Sequence, residues 1–114
     1  MPRDRGLPGQ PLTPITFHVL IALNEGALHG YGVMRRVEES KGVQVGPGTV
    51  YGSLNRLQAL GWIEDAGVDE SDPRRGSRYA LTGAGREALR AEARRLEGLT
   101  QLARKQRLLT GTGR

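Results

Sequence analysis

The residues of this chain best equipped for chemistry are donors to anions and to base edges. Asn55 and Arg56 stand side by side in the segment GTVYGSLNRL, and an amide or a guanidinium can form paired hydrogen bonds with adenine or guanine edges. Val50, Leu54 and Leu57 fall at i, i+4 and i+7, the spacing of one buried helical stripe. At about 100° per residue the opposite face holds Gly48, Gly52, Asn55, Arg56 and Ala59, flanked by Thr49 and Tyr51. No acid lies on that face. Its two glycines and alanine let another surface approach the backbone closely, although the glycines weaken the helix. A DNA major groove suits such a face; an ordinary amphipathic surface helix carries the same pattern.

A second cluster, Arg74, Arg75 and Arg78, follows the acids Asp69, Glu70 and Asp72. At the tip of a hairpin these arginines would meet backbone phosphates or enter a minor groove. Taken alone, the segment also reads as a solvated charged loop. Other chemistries find little material. The chain has no cysteine, which removes disulfides, thiolate nucleophiles and cysteine-type zinc sites. His18 and His29 have no convincing carboxylate neighbour in sequence and read as core or capping residues, so no metal site is expected. Trp62 reads as a core anchor, and no glycine-rich loop ends in Gly-Lys-Ser/Thr. We therefore expect no enzyme chemistry and no cofactor. The net charge of +5 favours a polyanion, while one Phe, one Trp and three Tyr are too few for a base-stacking single-strand platform. Duplex DNA is the expected partner.

The elements that must position these residues follow from the punctuation of the chain. At 114 residues it has the size of one domain. Residues 1–11 read as a flexible arm bearing Arg3 and Arg5, and Thr110 to Arg114 as a disordered tail. Thr13-Pro14 is a hydroxyl cap with proline at the first helical position, followed by an apolar run closed by Gly26. Apolar residues on most faces of this first helix place it centrally in the core or partly against another subunit. A second helix is predicted over 30–41, with Tyr31, Met34 and Val37 on its buried face and Gly42 as its stop. After an extended Val43-Gln44-Val45, Gly46-Pro47-Gly48 opens a third helix that ends at Gly61. Trp62–Val68 and Ser77–Leu81 read as two strands around a charged tip, and Thr82 caps a last helix over 83–107. The predicted order is helix, helix, strand, helix, hairpin, helix: a mostly α chain with a small β-hairpin.

That last helix, about 25 residues or about 37 Å long, exceeds what so small a domain can cover. Leu89, Ala93, Leu96 and Ala103 follow an a/d-like spacing, and Leu99 and Leu102 widen the stripe. The reading is a dimerisation helix; a helix folded back on its own core, or one exposed and fraying at its outer end, are the alternatives. No stretch reaches the roughly 18 apolar residues of a membrane span, and 1–10 lacks a hydrophobic signal region. A cytoplasmic location is expected.

Three stretches, LTPITFHVLIALNEGALHGYGVMRRVEE, GPGTVYGSLNRLQALGWIE and RRGSRYALTGAGREAL, resemble the PadR-like transcriptional regulators over about Leu12 to Arg107. The resemblance implies a winged helix-turn-helix over 12–81 and a dimerisation helix over 82–109, in a two-fold dimer that acts as a repressor on palindromic operators. By position it implies DNA contacts from Thr49, Tyr51, Asn55 and Arg56, with Gly48 and Gly52 at the same surface. Tyr31 would touch phosphate, and Arg74, Arg75 and Arg78 would be wing contacts. The dimer seam would take Leu89, Leu96 and Leu99 from the last helix, with Ile15 and Val19 from the first. Some short members of the family bind flat aromatic molecules between subunits through tryptophans; here the lone Trp62 and a final helix without aromatics leave a small-molecule effector at the dimer interface without an assigned site.

Overall fold

A computed structural model describes residues 11–41 and 44–109. Residues 1–10 of the expected arm over 1–11, the stop at Gly42, the extended Val43 and the tail over 110–114 lie outside the described residues. Four helices and three strands follow in the order α1 (Pro14–Asn24), β1 (Leu28–His29), α2 (Gly30–Lys41), α3 (Pro47–Leu60), β2 (Ile63–Val68), β3 (Ser77–Leu81) and α4 (Gly83–Lys105). This is a winged helix-turn-helix with one long helix after the wing.

Helix boundaries have identifiable causes. Thr13 accepts from the Thr16 N–H at 3.3 Å and Pro14 takes the first turn of α1, where its missing N–H costs nothing. Pro47 plays the same part in α3, and Gly61 ends that helix at φ +80°. There Gly61 N–H bonds to Gln58 O and Trp62 N–H to Leu57 O, both at 3.0 Å, closing two carbonyls that a helix end leaves orphaned. Thr82 does two jobs at the start of α4: its hydroxyl accepts from Gly85 N–H at 3.0 Å and donates to Gly61 O at 2.7 Å. The end of α3 and the start of α4 are thereby tied together.

The core gathers Leu20 and Leu23 of α1, Val33 and Val37 of α2, Leu54 and Leu57 of α3, and Trp62, Ile63, Leu81 and Leu89 around them. Each fully buried Leu or Ile contributes about 2 kcal/mol of transfer free energy. Trp62 is buried in this core, as its sequence position suggested. On α2, however, the buried residues are Val33 and Val37 rather than Tyr31, which is exposed. Of the predicted face, Val37 is buried and Met34 is half-buried against the core, and Val33 takes the place expected of Tyr31.

The sheet has strand order β1-β3-β2, all antiparallel. The two-residue β1 pairs Leu28 with Tyr79 and His29 with Arg78; it corrects the predicted order, which placed a strand at 43–45. Gln44 and Val45 form no strand, and Val45 N–H instead donates to the Glu38 carboxylate at 3.1 Å. β2 and β3 keep register from Ile63–Leu81 to Asp65–Tyr79 and then slip by a bulge before Val68–Ser77. Gly67, at φ +88°, supplies the left-handed backbone that the bulge requires.

Candidate nucleic-acid interface

α3 divides sharply. Val50, Ser53, Leu54 and Leu57 are buried, whereas Gly48, Thr49, Gly52, Asn55, Arg56 and Ala59 are exposed together on its outer side. A Cβ placed on Gly48 or Gly52 would meet no atom within 4 Å. The fold itself therefore has no steric need for glycine at either position, although each weakens the helix. Backbone that is bare, acid-free and flanked by an amide and a guanidinium can lie close to a surface rich in acceptors and donors.

Tyr51 is 42% exposed and turns its ring across the first residue of α2. A Cβ on Gly30 would lie 2.5 Å from both Cε1 and Oη of Tyr51, so the bare Cα of Gly30 is the ring's seat. Tyr51 also lies near Tyr79 on β3; burial first, then the nearby Tyr51 and Asp65, hold the Tyr79 phenol above its ordinary range. The recognition-helix candidate, the start of α2 and the wing thus meet around one tyrosine. Beside it Tyr31, 49% exposed, accepts a hydrogen bond from Arg35 Nη1 at 3.4 Å, and the Arg35 guanidinium lies 5.9 Å from the Tyr31 ring centroid. Sequence reasoning missed both Gly30 and Arg35. The i, i+4 spacing of Tyr31 and Arg35 was the available signal.

The wing tip is a short 3-10 turn, Pro73–Arg75. Arg74 and Arg75 are exposed on it, and Arg75 Nε pairs with Asp72 at 3.1 Å. Such an exposed pair is worth little in water, so the guanidinium can exchange partners at small cost. Arg78 differs. It is half-buried in β3 opposite His29, with its Nε directed at Gly67 O over a long 3.5 Å, which makes it more an anchor of the hairpin than its tip. Asp69 holds the turn before it: the Ser71 hydroxyl and N–H donate to its carboxylate at 2.7 and 2.9 Å, and these bonds, aided by Arg78 and His29, keep its carboxyl below the ordinary range.

Along α4 the first half serves the chain's own core and the second half leaves it. Leu89 is buried, as is Val19 of α1; both were expected at a subunit seam, and both are already occupied within one chain. Ala93 is exposed on a flank, Leu96 and Ala103 are half-buried, and Leu99 and Leu102 are 50% and 54% exposed. On α1, Ile15 and Phe17 are half-buried against the core, while Ile21 is exposed. Glu92, although a carboxylate, is only 3% exposed. It receives Arg95 through two hydrogen bonds, Nε at 2.9 Å and Nη2 at 2.7 Å. That pairing, opposed by burial and helped by the backbone N–H of Leu12, holds its carboxyl below the usual range. A carboxylate three residues from Leu89 and four before Leu96 lies on the apolar stripe, and the arginine at i+3 is what makes it tolerable there.

Among the described residues, no group of acids and histidines is arranged to hold a metal ion, and no helix is long and apolar enough to cross a membrane. The chain is similar over 90% of its length to RosR of H. salinarum, at 29% identity and a TM-score of 0.61, with 78% of that chain covered. It is similar to Bordetella bronchiseptica BpsR, whose DNA binding is regulated by 6-hydroxynicotinic acid: 27% identity, TM-score 0.63, 86% of this chain and 69% of that one. A PadR family regulator of Clostridium difficile R20291 shares the fold at TM-score 0.67 and 21% identity, over 80% of this chain and 95% of that one. An uncharacterized 37.1 kDa protein in transposon TN4556 of Streptomyces fradiae is 39% identical over 82 residues; the match takes 72% of this chain but spans only 23% of that protein. The model of the transcriptional regulator PadR-like family matches residues 19–91, from the core of α1 through the wing into α4, and the chain belongs to that family.

Proposed function

We propose that this chain is a cytoplasmic homodimeric repressor that binds palindromic duplex DNA sequence-specifically and carries no catalytic site. The observation that carries the reading is the outer side of α3, where Asn55 and Arg56 sit beside glycines that open onto empty space. α3 enters the major groove and Asn55 and Arg56 read base edges. Thr49, Tyr51 and Tyr31 contact the flanking backbone, and Arg74 and Arg75 reach phosphates or the adjacent minor groove from the wing, with Arg78 setting the hairpin's angle. DNA binding that a small acid regulates in BpsR supports the same use of the fold here.

The dimer is built from the parts of α4 that leave the core. Leu96, Leu99, Leu102 and Ala103 face a second copy, joined by Ile15, Phe17 and Ile21 of α1; Val19 and Leu89 support them from within. Two recognition helices then enter successive major grooves about 34 Å apart, and the bound dimer blocks a promoter. A small-molecule effector, where one acts, has to bind without Trp62, because that ring is committed to the core.

Selection of bound duplexes from a random pool at two salt concentrations tests the reading. The expected result is a palindromic consensus with half-sites about one helical turn apart and affinity that falls steeply with salt. Recovery of no consensus, with salt-insensitive capture of a protein partner instead, would overturn it.

A further inference from the structure

We infer that Arg35 is a DNA-backbone residue that acts both by its own charge and by setting the direction of the Tyr31 hydroxyl, the two side chains forming one composite phosphate clamp at the start of α2. The inference rests on the DNA reading above and assigns to it a residue outside α3 and the wing.

The geometry carries it. A guanidinium only donates, so in the 3.4 Å contact Arg35 Nη1 is the donor and the Tyr31 oxygen the acceptor. The phenolic proton is then left to donate elsewhere, and the neighbouring cation makes it a stronger donor. Both side chains are exposed, and Arg35 also lies over the Tyr31 ring at 5.9 Å, a second contact that favours the same arrangement of the pair. The bond to Tyr31 first, and the charge of Glu39 after it, move the Arg35 guanidinium further above its ordinary range. A phosphate presents several acceptor oxygens and a negative charge. A phenol and a guanidinium side by side match that better than either does alone.

Position supports the assignment. Tyr31 directly follows Gly30, and Gly30 is the seat of Tyr51 from α3. The clamp therefore adjoins the exposed side of α3 instead of standing on a remote surface. The adjacent arginine serves as an internal contrast: Arg36 points elsewhere and pairs with Glu25 of the α1 end at 2.9 Å. One turn further along α2, Glu39 bounds the basic surface. DNA contact on α2 is thus confined to its first two turns.

The test measures binding to the selected duplex between about 50 and 200 mM salt for wild type, Arg35→Ala, Arg35→Lys, Arg35→Gln, Tyr31→Phe, Arg36→Ala and the Tyr31→Phe/Arg35→Ala pair. Arg35→Ala should weaken binding roughly tenfold at low salt, the scale of losing a charged hydrogen bond, and lower the salt slope by about 0.9 in a monomer-equivalent half-site. Tyr31→Phe should weaken binding without changing the slope, and should cost less in the Arg35→Ala background than in wild type. Arg35→Lys should restore the slope, whereas Arg35→Gln, a donor without charge, should keep the cost of Tyr31→Phe and lose the slope. Arg36→Ala should bind as wild type. All these side chains are exposed, and unchanged thermal melts confirm intact folds. Wild-type binding with an Arg35→Ala curve superimposed on it would overturn the clamp alone; a wild type with no duplex affinity would overturn the DNA reading and the clamp together.

Discussion

Gly52→Ala separates stability from function with a single methyl group. Gly52 lies in the middle of α3 and its added Cβ meets nothing within 4 Å. Glycine inside a helix is less favourable than alanine by about 0.5–1 kcal/mol. With no clash to offset that gain, the variant should be more stable by about that amount, a rise in Tm of about 2–6 °C for a chain of this size. The same methyl group projects from the surface that is proposed to lie against DNA. Overfilling a closely packed contact costs about 1–3 kcal/mol, so affinity should fall about fivefold to a hundredfold. Gly98 is the control. It is also exposed within a helix, its Cβ also meets nothing within 4 Å, and it lies on α4 away from the α3 surface, so Gly98→Ala should raise Tm similarly and leave affinity unchanged. Thermal melts and fluorescence anisotropy on one selected duplex read both quantities. A Gly52→Ala protein that is stabilised and binds as wild type would refute the reasoning, because the bare backbone would then have no partner.

Further outcomes follow from other residues. Gly30→Ala places a methyl group against the Tyr51 ring, a half-exposed side chain that can swing away; it should cost at most about 2 kcal/mol of stability yet weaken DNA binding, and the loss should not add to that of Tyr51→Ala. Gly85→Ala instead drives a methyl group onto the backbone carbonyl of Trp62, which cannot yield, so melts should show the larger loss of stability at that position. Arg56→Ala should relax sequence preference, whereas Arg75→Ala should weaken all duplexes alike and reduce the salt slope; selection experiments with each variant check the division. Leu99→Glu with Leu102→Glu should give a folded monomer by analytical ultracentrifugation, while Leu89→Ala should lose about 2–5 kcal/mol of stability. Glu92→Gln tests the buried pair through pH. Because the folded carboxyl titrates below its unfolded value, its contribution is present above about pH 4.3 and is lost as pH falls through the lower folded value. The Tm gap between wild type and Glu92→Gln should therefore be wide at pH 7 and narrow towards pH 3.

Much of the geometry of the candidate site was legible because helical periodicity is a strong signal. Val50, Leu54 and Leu57 fixed which side of α3 is buried, and with it the side that Asn55 and Arg56 occupy. Glycine and proline punctuation placed the ends of α3, and Thr82 the start of α4. Other features depend on partners distant in sequence. β1 is two residues long and exists only because β3 pairs with it, so Leu28 and His29 carry no alternation to read. Tyr31 fitted a buried spacing with Met34 and Val37 as well as Val33 does, and only the packing of α2 on α1 and α3 chose between them. Glu92 broke the rule that carboxylates stay outside, and its two-pronged bond with Arg95 explains how. Val19 and Leu89 have the apolar character of a seam, but one chain already buries both; periodicity gives a face and does not say which neighbour covers it.

Hydroxyl-radical footprinting on a selected duplex tests most directly the claim that two α3 surfaces, joined through α4, occupy successive grooves. The expected pattern is a pair of symmetric protected windows on one side of the duplex, about one helical turn apart from centre to centre, both lost in the Leu99→Glu/Leu102→Glu monomer at concentrations where wild type gives full protection. A single unpaired window, or the same paired pattern from the monomeric variant, would contradict it.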